Sequence, residues 1–299
     1  MVRSKALLER QRKIVMKRHS DIGFAQLSTI LALLALVCAI PQAQGQAAPP
    51  HAEQGSIFDA VGFPGQMWMA NGTYSPVEKN NIISQWDFQQ SVTVYSGWHN
   101  SVTVGPYIEV NGVIDSSGFT YDNQLQPSVG IKVSKLFPIG VISAGTAFAY
   151  QDRFSSATAS GRTDFISDWF GWQSVANPKS RFPGSSWASI GHTSPVEHGD
   201  LIEQAYATQG YILRRFKRGA IISYSEITLG HDSQGFDWEN RYIAGGGVKA
   251  SVLIGELYTE FGAGLMHESR FNSGLTASGL KVFMNTSYAW HLFGRKGNN

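Results

Sequence analysis

The feature that most limits how this 299-residue chain can fold is a repeated alternation of apolar and polar residues. The clearest case is residues 82–96, where Trp86 and Phe88 fall on one face of an extended chain and Asp87 and Gln89 on the other. A period of two is typical of a β-strand whose two faces meet different surroundings. The sequence therefore predicts strands with one apolar and one polar face.

Turn residues separate these segments, and the connections alternate in length. Tight ones, such as 97–100 and 216–219, follow every second segment, whereas longer polar ones, such as 116–123, 154–162 and 271–279, follow the others. Short turns at one end, long loops at the other and an even strand count are the pattern of transmembrane barrels. We interpret twelve segments as strands: 66–74, 82–96, 101–115, 124–136, 139–153, 163–176, 185–194, 201–216, 219–231, 240–253, 256–270 and 280–293.

Strand length favours a barrel over a soluble sandwich. Sandwich strands average about five or six residues, whereas a tilted strand needs about 9–11 residues to cross a bilayer. In lipid, only closure into a barrel leaves no edge with unpaired backbone amides. We therefore predict an all-β, transmembrane, antiparallel up-and-down β-barrel of about 12 strands. A secreted β-sandwich or lectin-like domain is the alternative.

The N-terminus has the organisation of a secretory signal peptide. A basic region precedes the apolar run Leu27–Ile40, and small residues follow it, so we place cleavage after Gly45. A retained membrane anchor is the alternative. The predicted organisation is a signal peptide over 1–45, a periplasmic lead-in over 46–64 and the outer-membrane barrel over 65–299. The single cysteine, Cys38, lies in the apolar run, so the mature chain would have no thiol for disulfides or metal.

The charge balance gives no support for a nucleic-acid partner. The formal net charge is +2, but seven of the 24 Lys and Arg residues and two of the 22 acidic residues precede the cleavage site. The mature chain would hold 17 basic and 20 acidic residues, which is not the basic surface that nucleic acids require. No motif for a cofactor is present, so no cofactor is predicted.

The signal, the alternating strands and the aromatic last strand Tyr288–Phe293 resemble those of bacterial outer-membrane β-barrel proteins. The resemblance implies location in the outer membrane of a Gram-negative bacterium. Outer-membrane lipid, lipopolysaccharide and the barrel-assembly machinery, which recognises a terminal aromatic strand, would then be partners. This chain departs from the pattern because six residues follow Phe293.

A fainter resemblance involves residues 150–154 and residues 237–240, which lead into Gly245–Val248. These segments are similar to barrel domains of exopolysaccharide-export and phage-adsorption proteins. The likeness implies polysaccharide as a further partner. Residues Gly245–Gly247 are followed by no phosphate-binding motif, so we interpret the triplet as a place where a strand can bend sharply.

Charged residues of the polar faces could line a lumen. If Ile254 and Gly255 form a two-residue hairpin loop, Lys249 faces Glu260, Arg241 faces Glu268, and Ser251 faces Tyr258. Such pairs would have one of two roles. They would form a charged constriction that selects solutes by the sign of their charge, or a ladder of ion pairs that stiffens the lumen. The predicted lumen residues are Glu109, Lys132, Arg241, Lys249, Glu256, Glu260 and Glu268.

The triplet His267–Ser269 offers a second kind of chemistry. Two residues apart on a strand, His267 and Ser269 project to one face, where an imidazole could deprotonate a hydroxyl. This spacing resembles that of lipid A deacylases and other outer-membrane lipid hydrolases, which carry His-x-Ser on a strand that faces lipid near the outer rim. Those families usually place Asn after the serine, where this chain has Arg270. An ordinary rim histidine is the alternative.

A third group, His192, Glu197, His198 and Asp200, clusters in and beside one predicted outer loop. These residue types can bind metals, but their spacing matches no known metal motif. We therefore predict a solvated loop and no metal site.

Together these features predict a narrow porin-like or export channel for a polar solute or polysaccharide. A structural or surface-recognition barrel is an alternative, because about twelve strands leave little room inside. A serine-type acyl hydrolase that uses His267 and Ser269 is the minor alternative.

Overall fold

The structure is a computed structural model that describes residues 63–97, 102–119, 123–137, 140–154, 156–171, 181–255 and 257–292. The predicted signal peptide, the lead-in up to residue 62 and Glu256 lie outside the described residues. No helix in the described ranges is long and apolar enough to cross a membrane.

The described residues form one antiparallel sheet that closes on itself. Its strands are β1 (Phe63–Gly72), β2 (Ile83–Ser91), β3 (Tyr95–Gly97), β4 (Val102–Asp115), β5 (Gln124–Phe137), β6 (Gly140–Arg153), β7 (Ala157–Gly171), β8 (Gly184–His192), β9 (Ile202–Phe216), β10 (Gly219–Asp232), β11 (Arg241–Ile254), β12 (Leu257–Arg270) and β13 (Thr276–Leu292).

Two pairings close the barrel. The first and last strands, β1 and β13, pair directly, and β2 pairs with β4. The short β3 extends β2 after an irregular stretch at 92–94 and also pairs with β4. The thirteen segments are therefore twelve barrel strands, and the predicted all-β transmembrane barrel is confirmed.

The two faces of the sheet have opposite chemistry. On β5, Val129, Ile131 and Val133 are exposed on the outside, and on β12 the side chain of Leu265 is 72% exposed. On the inward face of β12, Glu268 is completely buried. Soluble proteins bury their apolar side chains, so this inversion is expected only where the outer solvent is lipid.

The strand boundaries differ from prediction mainly at β7, which covers Ala157–Gly171 rather than 163–176. The connection before it was predicted as a long loop over 154–162. Residues 157–162 pair instead with β6, and β7 begins directly after Ser156. Small and hydroxyl-bearing residues in this stretch resemble a loop by composition, yet their backbone completes the ladder.

The β11–β12 hairpin is shifted from the predicted register. Ile254 pairs with Leu257, so Ile254 belongs to the strand and not, as predicted, to the turn, which includes Gly255. Gly255 has a φ of 65°, a value that glycine adopts easily and a β-branched residue such as isoleucine does not. Ile254 therefore stays in the strand, and every pair moves by two positions.

Candidate functional site: the barrel lumen and its loop end

The shifted register changes which lumen residues face one another. Lys249 pairs with Gly262, Ser251 with Glu260, and Arg241 with Arg270, so the three predicted direct pairings are wrong. A shift of two positions keeps each side chain on the same face of its strand, because side chains alternate with a period of two. The charged residues consequently remain on the inward face.

Lys249 and Glu260 nevertheless form an ion pair across the diagonal. The Lys249 Nζ atom lies 2.8 Å from Glu260 Oε1, and both side chains are about nine-tenths buried. The Tyr258 hydroxyl donates a hydrogen bond of 2.7 Å to the same oxygen. Lys249 Nζ also lies 5.5 Å from the centre of the Tyr224 ring, a cation–π distance.

A second pair joins Lys281 of β13 to Glu226 of β10, although two strands lie between them. The Tyr206 hydroxyl donates to the other oxygen of Glu226 at 3.1 Å. This pair is not evident from the sequence. The alternation pattern places Lys281 on the polar face, but only the closed barrel reveals its partner.

Inward-facing glycines make room for these side chains. A Cβ atom at Gly262 would lie 2.5 Å from the Phe283 ring, and one at Gly264 would lie 2.7 Å from the Tyr224 hydroxyl. The Tyr224 and Phe283 rings meet edge to face, with their centres 5.8 Å apart. Large rings from β13, which is adjacent to β12, and from β10, two strands away, therefore occupy the space above the glycines of β12.

The predicted lumen residues Glu109 and Lys132 also come together, on the opposite part of the barrel wall. Gln89 joins them, because it accepts a hydrogen bond from Lys132 and donates one of 3.4 Å to Glu109. Asn111 donates a hydrogen bond of 2.9 Å to the other carboxylate oxygen of Glu109. A cavity of about 190 Å³ adjoins this group and is lined by Gln66, Gln89, Ser91, Thr103, Lys132 and Ser134, among others.

At the end of the barrel that carries the long loops, Glu268 is the centre of a buried network. It accepts hydrogen bonds from Arg270 at 3.0 Å, from Ser75 at 2.5 Å and from the Val77 amide at 3.0 Å. Arg241 lies 3.5 Å from it as a second cation. These contacts fasten the loop of residues 73–82 onto β11 and β12.

The other loops at this end are fastened in the same way. Gln151 of β6 accepts hydrogen bonds from the Ser194 hydroxyl at 2.8 Å and the Val196 amide at 2.9 Å. Arg153 forms an ion pair with Glu197, and Asp200 accepts a hydrogen bond of 2.8 Å from the Ser233 hydroxyl. The loop 193–201 is therefore held both to the barrel wall and to the loop that follows β10.

The predicted outer-loop group is divided by the fold. His192 and His198 are exposed, whereas Glu197 and Asp200 are 5% and 1% exposed. The prediction of a solvated loop is therefore wrong for the two acids. Glu239, from a loop distant in sequence, joins them. Burial, and then the nearby charges of Glu197, Asp232 and Asp200, raise the pKa of Glu239 to about 8.

The His267–Ser269 pair lies on the outward side of β12, close to the end of the strand that carries the long loops. Within the described part of the chain, the hydrogen bond of the imidazole goes elsewhere: His267 Nδ1 is 3.0 Å from the Ser278 hydroxyl on β13. The centre of the Tyr242 ring lies 6.0 Å from that of the imidazole. The structure thus places His267 near the rim but does not join it to Ser269.

No family model and no curated protein matches the sequence. Among solved structures, an outer membrane channel from Pseudomonas putida F1 is 7% identical, with a TM-score of 0.40 over 82% of this chain and 100% of that chain. The beta domain of the Bordetella autotransporter Brka is 11% identical, with a TM-score of 0.33 over 77% and 99%. The outer membrane channel DcaP of Acinetobacter baumannii is 9% identical, with a TM-score of 0.32 over 77% and 96%.

Similarity at this level shows nothing about function. The class of the protein follows from the barrel itself. Apart from the short β3, every described strand pairs on both sides. The outward face exposes large apolar side chains, whereas charged side chains such as Lys249, Glu260 and Glu268 are buried on the inward face. The chain is a transmembrane β-barrel, the fold that its sequence predicts.

Proposed function

We propose that this barrel is a narrow channel for small, uncharged polar solutes, and that its loops act as the gate. The observation that carries the proposal is the inward wall, which combines tyrosines and amides with lysines paired to carboxylates. Lys249 with Glu260 is the clearest pair, at 2.8 Å. Such a wall offers many hydrogen bonds but little net field.

Charge pairing is what favours an uncharged solute over an ion. A constriction that selects by sign needs unpaired charges of one sign. Here the field of Lys249 is largely cancelled by Glu260, and that of Lys281 by Glu226. Hydroxyl-rich solutes such as sugars can exchange hydrogen bonds with the Tyr, Gln and Ser side chains and place their apolar faces against aromatic rings.

The loop end determines when the lumen is open. Glu268, Asn81 and Asp200 are almost completely buried there, so the loops cover this end as the structure stands. Passage then requires the contacts of Arg270 with Glu268 and Glu78 to break. Charged groups that separate can be solvated again by water, so a gate of this kind can be reversible.

Liposome swelling tests the proposed solute class. Vesicles that contain the refolded protein should swell in sugars up to a size limit and respond much less to charged solutes of similar size. Loosening the loop end by Arg270→Met should raise the swelling rate. If both the wild type and Arg270→Met leave the vesicles impermeable to the smallest sugars, the channel proposal is wrong.

Close filling of the lumen favours a second candidate, a structural or surface-recognition barrel. Gln151, Ile222 and Ser251 each have less than 2% of their surface exposed. Under that account, neither loop-loosening substitutions nor solute size would change permeability.

The acyl-hydrolase alternative gains little support, because His267 bonds to Ser278 rather than to Ser269.

A further inference from the structure

Three acidic side chains from two loops converge beneath the surface of the loop end. Glu197 and Asp200 lie in the loop 193–201, and Glu239 lies in the loop 233–240. One carboxylate oxygen from each residue lies within 4.8 Å of the others. Carboxylates at such distances repel one another strongly where water is excluded, so the arrangement needs a compensating group.

The second observation concerns hydrogen bonds that are not made. Glu197 Oε2, Asp200 Oδ2 and Glu239 Oε2 are all shielded from solvent and have no hydrogen-bond partner within the described part of the chain. Glu197 and Asp200 are more than nine-tenths buried as whole residues. A buried acceptor without a partner is costly, and a cation that binds oxygen would satisfy all three at once.

The other carboxylate oxygens of Glu197 and Asp200 already have partners. Glu197 uses Oε1 for its ion pair with Arg153. Asp200 uses Oδ1 to accept from the Ser233 amide at 3.0 Å, the Ser233 hydroxyl at 2.8 Å and the Gln234 amide at 3.2 Å. Each of these carboxylates thus anchors the loops with one oxygen and has the other available to a ligand.

From this geometry we infer a binding site for one calcium ion formed by Glu197, Asp200 and Glu239. Calcium is a hard cation that takes six to eight oxygen ligands, carboxylates among them, in flexible geometry. Backbone carbonyls and water can complete such a shell. Magnesium demands near-ideal octahedral geometry and gives up its water reluctantly, so it fits a buried set of carboxylates less well. The ion would tie the loops 193–201 and 233–240 together.

Calcium binding can be measured on the refolded, lipopolysaccharide-free protein in detergent, because lipopolysaccharide itself binds divalent cations. After chelation and dialysis, equilibrium dialysis with radioactive calcium should give one saturable site per chain. Glu239→Gln and Asp200→Asn each remove one charged ligand and should weaken binding at least about tenfold. Asp237→Asn is the matched control: it changes an acid of the same loop that instead accepts from Ser273, and affinity should stay within about twofold.

A second readout separates binding at this site from adventitious binding. Calcium that binds only the folded state raises its thermal stability. The temperature at which the folded band disappears on a gel should rise with calcium for the wild type and Asp237→Asn, but not for Glu239→Gln, whose folded band also reports that it folds. The inference is overturned if the wild type binds no calcium saturably, if Glu239→Gln and Asp200→Asn bind it like the wild type, or if an equal concentration of magnesium displaces it.

Discussion

Lys249 and Glu260 form a buried ion pair of 2.8 Å although they stand two positions out of register across the β11–β12 hairpin. Direct cross-strand neighbours of the two are Gly262 and Ser251. A Cβ atom at position 262 would lie 2.9 Å from the Lys249 Cβ and 2.5 Å from the Phe283 ring, so only glycine leaves room there for both the lysine side chain and the ring. The pair therefore depends on a glycine as much as on the two charges.

The first prediction concerns the stability of this pair. Removing one partner leaves a buried charge without compensation, so Glu260→Gln and Lys249→Met should each destabilise the barrel, by roughly 3 kcal/mol. The double variant should recover part of that loss, with a coupling energy of roughly 0.5–3 kcal/mol. Urea unfolding, followed by tryptophan fluorescence, measures the refolded wild type and the three variants. A coupling energy of zero would mean that the pair does not form.

The second prediction concerns the loop 73–82. Arg270 holds this loop through Glu78 and Glu268, so Arg270→Met should release it. A loss of about 1.4 kcal/mol or more in local stability raises the open population about tenfold. Trypsin should then cleave after the exposed Lys79 about ten times faster. Arg218→Met, an exposed arginine in the β9–β10 turn at the other end of the barrel, is the control and should leave cleavage at Lys79 unchanged.

The third prediction compares two inward-facing glycines that differ in how close the neighbouring atoms lie. A Cβ atom at Gly247 would lie 2.0 Å from the Ala263 carbonyl oxygen, whereas one at Gly161 would have its nearest neighbour 3.8 Å away, in Pro195. Gly247→Ala should therefore cost roughly 1–3 kcal/mol through overpacking. Gly161→Ala should be close to neutral or slightly stabilising, because it restricts the unfolded chain. Equal stability of the two variants, measured by urea unfolding, would contradict this account of the glycines.

Much of the fold could be predicted because the two-residue period identifies a strand and its two faces even where the exact ends of the strand are misplaced. Residues 101–115 and 124–136 were placed within about one residue of β4 and β5, since apolar and polar residues alternate there without interruption. The lumen charges Lys249 and Glu260 were placed on one face for the same reason. The predicted hairpin register was wrong because the sequence around Gly255 does not show where the turn begins.

The loop end could not be predicted, because its contacts join residues far apart in the sequence. Glu78 and Arg270, which form an ion pair, are 192 residues apart. Their positions meet only after the barrel closes between β1 and β13. Glu239 was missed for a similar reason, since nothing in its own loop indicates that Glu197 and Asp200 lie beside it. The cleavage site after Gly45 remains a prediction from the sequence.

The central claim, a polar lumen with paired charges behind a loop gate, is tested most directly by single-channel conductance in a planar bilayer under a salt gradient. The wild type should show small openings with weak ion selectivity, and Arg270→Met should increase the open time. Glu260→Gln should move the reversal potential toward anion selectivity and Lys249→Gln toward cation selectivity, because each leaves one unpaired charge in the lumen. Openings whose selectivity is the same in all variants, or no openings in either the wild type or Arg270→Met, would contradict it.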